Sequence, residues 1–124
     1  MAFSYEQATG NFYHDGELLA TGYSGYGADA NVPQDQDLKD LGPIPVGSYT
    51  IGEPHVDEQV GPVAMTLTPA PTNEMFGRGS FLVHGDTAAM NHTASHGCII
   101  LNHDARVAIG TAVLNGDNQL EVVA

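Results

Sequence analysis

Three histidines and the only cysteine of the chain fall in one stretch, residues 81–102. A short apolar run, Phe81-Leu82-Val83, ends on His84. Ser95-His96-Gly97-Cys98 then leads into a second apolar run, Ile99-Ile100-Leu101. Two strand-like runs that carry a His and a Cys suit a site in which imidazole activates a thiol. A free thiol titrates at about 8.5, and only the thiolate is a strong nucleophile. An imidazole can take that proton near neutral pH and return it to a leaving amine. His84 and Cys98 stand 14 positions apart, so the intervening loop must fold back for them to meet. Gly97 permits a tight turn and close approach of a substrate. Backbone N–H groups around Gly97 and Cys98 could then face a developing oxyanion.

Other readings of these residues stay open at this level. A lone cysteine is often a buried, inert thiol, and His84 could be a satisfied core histidine. His96 could orient a loop, donate to a substrate carbonyl or act as the base itself. His92 reads as loop surface. His92, His96 and Cys98, with His84, are also zinc-type ligands, but their spacing matches no usual zinc motif. No metal and no cofactor is expected.

The elements that must hold these groups read as mostly strands. Phe3-Ser4-Tyr5-Glu6 alternates, Asp15-Gly16 signals a hairpin, and Leu18-Leu19-Ala20 follows. The N-terminus thus predicts an antiparallel meander ending near Gly22, with His14 on its surface. Residues 22–42 form a long irregular region. Tyr23, Gly25, Tyr26 and Gly27 suggest a wall with aromatic faces, and Asp29, Asp35, Asp37 and Asp40 make it acidic. It reads as a lid or substrate wall, or as a plain connection; the acidic residues lack the pattern of a calcium loop. Tyr49-Thr50-Ile51 and Val63 to Thr68 read as strands, with Met65 in the core and a polar loop carrying His55 between them. Pro69 to Ser80 is a second long loop, holding Arg78 just before the His84 strand. Asn102 is a good helix N-cap, with Asp104 in the first turn. Ala105, Ala108, Ile109, Ala112 and Val113 keep helical spacing, though Gly110 weakens it. Asn115-Gly116 ends the helix, and residues 119–123 form a last strand.

Length and composition bound the answer. The 124 residues suit a single domain over 1–124, and 42% hydrophobic residues argue against disorder. Net charge is −12, with Lys39, Arg78 and Arg106 as the permanent cations. That speaks against nucleic acid, whose binding rests on many Lys and Arg contacts, and against an anionic membrane surface. One cysteine excludes an internal disulfide. No apolar stretch approaches ~18 residues, so no membrane insertion is expected. The first residues have neither the basic region nor the apolar core of a signal peptide, so export by the general route is not expected.

The motif His84-Gly85-Asp86…Ser95-His96-Gly97-Cys98-Ile99 resembles the signature of the L,D-transpeptidase catalytic domain (YkuD-like). Gly42-Pro43-Ile44-Pro45-Val46-Gly47-Ser48-Tyr49-Thr50-Ile51 is similar to the strand entry of that family. Thr21 to Gly25, Asn73 to Arg78 and Leu120 to Val123 are similar to the small L,D-transpeptidase effectors delivered by type VI secretion. The resemblance implies a mainly β fold, an L,D-transpeptidase-like β-sandwich with one short helix after the nucleophile. It implies Cys98 as nucleophile, His84 as base, and His96, Gly97 and Gly85 in support, with Gly85 offering backbone to the His84 ring. It implies substrate contacts from Arg78, Ser95, Asp86 and Tyr23, where Asp86 and Ser95 also hold loops. The classical domain carries Arg or Asn two positions after the cysteine; Ile100 stands there. Arg78 is therefore the expected cation for a stem carboxylate, and Arg106 looks structural. The implied reaction is L,D-carboxypeptidase or L,D-transpeptidase action on tetrapeptide stems of peptidoglycan through a thioester. The implied setting is an effector made in the cytoplasm, secreted, and acting in the periplasm of a target cell. Its implied partners are the stems, an immunity protein and secretion-system components. A housekeeping L,D-transpeptidase and a non-catalytic wall-binding module are the alternatives.

Overall fold

The computed structural model describes residues 2–57, 61–86 and 95–124. In chain order the strands are β1 (Phe3–Glu6), β2 (Asn11–His14), β3 (Glu17–Thr21), β4 (Tyr23–Ser24), β5 (Gly47–Ile51), β6 (His55–Asp57), β7 (Gly61–Pro69), β8 (Phe81–His84) and β9 (Ile99–Ile100). Helix α1 (His103–Leu114) and strand β10 (Gln119–Val123) complete the chain. Among the described residues, no helix is long and apolar enough to cross a membrane.

The fold is mainly β with one helix. Its strands run in the order β3-β2-β1-β10-β5-β7-β8-β9-β4, with β6 paired to β7 at the side. The two ends of that order, β3 and β4, are separated in the chain only by Gly22. The sheet therefore bends almost into a barrel, and its packed layers come from one continuous sheet. Gly22 makes the corner: its N–H donates to the Gly10 carbonyl at 2.8 Å. A Cβ there would lie 1.7 Å from the Ile100 carbonyl oxygen, so no other residue fits without backbone movement. The meander β1–β2–β3 is antiparallel, while β1 pairs parallel to β10 and places Phe3 opposite Leu120.

Strand alternation sorts the side chains. Phe3, Tyr5, Phe12, Tyr49, Ile51, Met65, Leu67, Phe81, Val83, Ile99 and Leu101 enter one buried cluster, which α1 completes with Ala105, Ile109 and Val113. Burying each large apolar side chain contributes about 1.5–3 kcal/mol before entropy is counted. Asn102 caps α1, its Oδ1 accepting the Ala105 N–H at 2.8 Å. Gly110 is buried against Pro54, where an added Cβ would come within 3.0 Å of the proline ring. The residue that weakens the helix in sequence thus lets Pro54 pack closely against it.

Three expectations are corrected. The polar loop after Glu53 contains a strand, β6. Ala108 is exposed rather than on the packed face of α1. His14 is half-buried, stacked on Phe3 at 4.2 Å between ring centroids, with Nε2 2.7 Å from Asp117 Oδ2.

Candidate active site

The site stands on the parallel pair β8–β9, where Val83 lies opposite Ile99 and His84 opposite Ile100. Phe81, Val83, Ile99 and Leu101 point into the core. Alternation therefore turns Leu82, His84 and Ile100 to the other face, and Cys98 lies immediately before β9. Tyr23 of β4 pairs with Ile100 and extends this face across the seam of the sheet. The long separation of His84 and Cys98 in sequence is closed by strand pairing, which is why the apolar runs matter.

Cys98 is partly exposed, and its Sγ accepts the Leu82 N–H at 3.2 Å. A donor aimed at sulfur favours the thiolate form. His84 is almost fully buried, and its Nδ1 lies 2.8 Å from the Gly85 carbonyl oxygen. A carbonyl only accepts, so Nδ1 carries the proton and Nε2 is left as the basic nitrogen. Gly85 lies close under Arg106: a Cβ there would lie 2.8 Å from Arg106 Nη2 and would push the guanidinium aside. Arg106 donates to the carbonyls of Leu101 at 3.1 Å and Pro62 at 2.7 Å, tying the exit of β9 to the start of β7. Burial lowers its guanidinium pKa from the ordinary value.

Two buried serines shape the turn that leads to Cys98. Ser95 Oγ accepts the N–H groups of Gly25 at 2.9 Å and Gly97 at 3.0 Å, and donates to the Cys98 carbonyl at 2.6 Å. Its one donor and two acceptor positions are filled by the protein, so Ser95 is a hub of the turn rather than a substrate contact. Ser24 Oγ donates to the Gly97 carbonyl at 2.7 Å and accepts the Ile44 N–H at 2.8 Å. The Gly97 N–H, expected to face an oxyanion, is spent on Ser95. Gly97 itself adopts φ +134°, and a Cβ would meet Phe81 at 2.5 Å and Arg78 Nη2 at 2.6 Å.

The remaining residues lie around this turn. Tyr23 is buried and its hydroxyl donates to Asp86 Oδ1 at 2.7 Å. His96 is exposed, its Nδ1 3.0 Å from the Asp40 carbonyl oxygen. Its ring is stacked on Tyr26 at 5.2 Å and 7°. The irregular region thus folds against the turn as a wall. Arg78 is buried, with donors on the carbonyls of Gln36, Gly42, Pro43 and His96. Burial lowers its pKa, while the charges of Asp40, Tyr49, Asp37 and Cys98 oppose that shift. Both Nη atoms are thus taken by the protein's own carbonyls, which corrects the expectation of an open cation.

His92 lies outside the described residues. Among the described residues, the one His/Cys/Asp/Glu group with metal-ligand spacing is His14, Asp15 and Asp117, on other elements. Sequence reading missed Ser24, the Leu82 N–H and the contact of Arg106 with Gly85. The one signal for Ser24 was its place between Gly22 and Gly25, two positions that allow close backbone approach.

The Tlde1 domain family model matches residues 19–124. No curated protein and no solved structure matches the chain significantly.

Proposed function

The chain belongs to the Tlde1 domain family of type VI secretion L,D-transpeptidase effectors, and we propose that it cleaves tetrapeptide stems of peptidoglycan through a Cys98 thioester. The observation that supports the reading is the parallel pairing of β8, which ends on His84, with β9, which Cys98 immediately precedes, together with the Leu82 N–H directed at the sulfur.

His84 Nε2 takes the thiol proton, and the sulfur attacks the carbonyl carbon of the L,D peptide bond at the third stem residue. The C–N bond breaks, and His84 returns the proton to the departing D-alanine amine. Water then adds to the thioester carbonyl. The acyl group leaves as a carboxylate, and the sulfur is regenerated. An amine in place of water gives exchange or cross-linking by the same steps. The Leu82 N–H stabilises the sulfur when it carries charge, and the Gly85 carbonyl keeps the His84 ring in the reactive tautomer.

The family assigns the chain to secreted effectors; we place its action in the periplasm of a target cell, with an immunity protein as the partner that protects the producer. Incubation with disaccharide tetrapeptide, followed by mass spectrometry, tests the reaction. Loss of D-alanine from the stem by the parent and not by Cys98→Ala supports it. Equal loss by both, or none by a folded parent, refutes it.

A further inference from the structure

Arg78 is the buried cation nearest the nucleophile turn, and its surroundings are unusual. Four of its five N–H donors go to backbone carbonyls: Gln36 at 2.5 Å, Pro43 at 2.7 Å, Gly42 at 2.9 Å and His96 at 3.3 Å. The guanidinium carbon sits 5.2 Å from the centroid of the Phe81 ring. Both Arg78 Nη2 and Phe81 would collide with any Cβ on Gly97. Three of the carbonyls belong to residues 36–43, and the fourth belongs to the turn that ends on Cys98. The loop that delivers Arg78 uses left-handed backbone at Phe76, Gly77 and Ser80, φ 54°, 72° and 62°. Two of these are not glycine, so the loop holds a costly shape to bring the side chain in. The cationic charge also acts on Cys98, Asp37 and Asp40.

We propose that Arg78 is a positioning residue of the active site, clamping the 36–43 strap onto the His96 carbonyl and so holding Gly97 and Cys98 in the attacking geometry. This rests on Cys98 being the nucleophile, but not on the identity of the substrate. It differs from a substrate-binding arginine, because the groups that satisfy the fork are the protein's own carbonyls. A planar fork can meet several carbonyls at once; a lysine keeps the charge and cannot cover them.

The test uses the purified chain with R78K and R78A, and two readouts that need no wall substrate. Trypsin reports the strap, because Lys39, the only lysine, lies within it and is exposed. Cleavage after Lys39 is expected to rise on the order of tenfold in both variants. The pH dependence of Cys98 alkylation by iodoacetamide reports the sulfur. Its midpoint is expected to move up by about 0.5–1 pH unit in R78A and to stay near the parental value in R78K. Parental cleavage at Lys39 in both variants overturns the clamp. Faster cleavage with an unshifted alkylation profile in folded R78A overturns the link to the nucleophile. If R78A is unfolded by circular dichroism, R78K decides alone: faster cleavage sustains the proposal and parental cleavage refutes it. Absence of stem cleavage by the folded parent would leave these results standing and count against the substrate alone, whereas equal cleavage by Cys98→Ala would remove the nucleophile on which the proposal rests.

Discussion

The Leu82 backbone N–H donates to the Cys98 sulfur at 3.2 Å although the two residues are 16 positions apart. Leu82 lies in β8 opposite Thr66 of β7, and the next two residues of β8 pair with β9. The donor is therefore fixed by the sheet and needs no rearrangement when the sulfur becomes charged. That is the sense in which this site is preorganised.

Ser95→Ala should be costly. It leaves the Gly25 and Gly97 N–H groups and the Cys98 carbonyl without their shared partner. The cost of orphaned buried groups predicts a loss of about 1–3 kcal/mol. A lower urea midpoint with an unchanged slope would show it. An unchanged midpoint would mean that the serine hub holds nothing.

Gly97→Ala should be worse for function than for folding. The φ of +134° and the contacts with Phe81 and Arg78 force the turn to shift. About 1–3 kcal/mol of strain is expected, with stem cleavage reduced at least ~100-fold because a small misplacement of the sulfur is enough. Near-normal turnover would show that the turn has more freedom than its packing suggests.

Much of this was legible in sequence, for local reasons. Asp15-Gly16 marked the β2–β3 hairpin, Asn102 the start of α1, and the two apolar runs the strand that ends on His84 and the strand that Cys98 immediately precedes. Patterns of period two and local capping need only near neighbours. The closure at Gly22 and the parallel pairing of β1 with β10 depend on residues far apart, which no local pattern specifies. Arg78 shows the same limit. Its charge drew attention in sequence, but its carbonyl partners exist only once residues 36–43 fold over the turn.

The buried tyrosines predict sensitivity to alkali. Burial raises the pKa of Tyr5 far above the ordinary phenol value, and that of Tyr49 moves the same way. Below about pH 10 the folded and unfolded chains both keep these protons, and the contribution to stability is complete. Above it the unfolded chain releases them first, so stability falls as pH rises, by about 1.4 kcal/mol per pH unit for Tyr5. The Tyr5 hydroxyl has no hydrogen-bond partner among the described residues. Tyr5→Phe should therefore be neutral or stabilising at pH 7 and should flatten the alkaline decline. An equally steep decline in that variant would assign it to other groups.

In the proposed reaction Cys98 carries the acyl group. Intact-protein mass spectrometry after rapid mixing with disaccharide tetrapeptide should then detect an adduct of the disaccharide-tripeptide acyl mass, mapped to the Cys98 peptide, absent in Cys98→Ala and cleared as D-alanine-free product accumulates. Undiminished D-alanine release by Cys98→Ala, or an adduct on another residue, would contradict it.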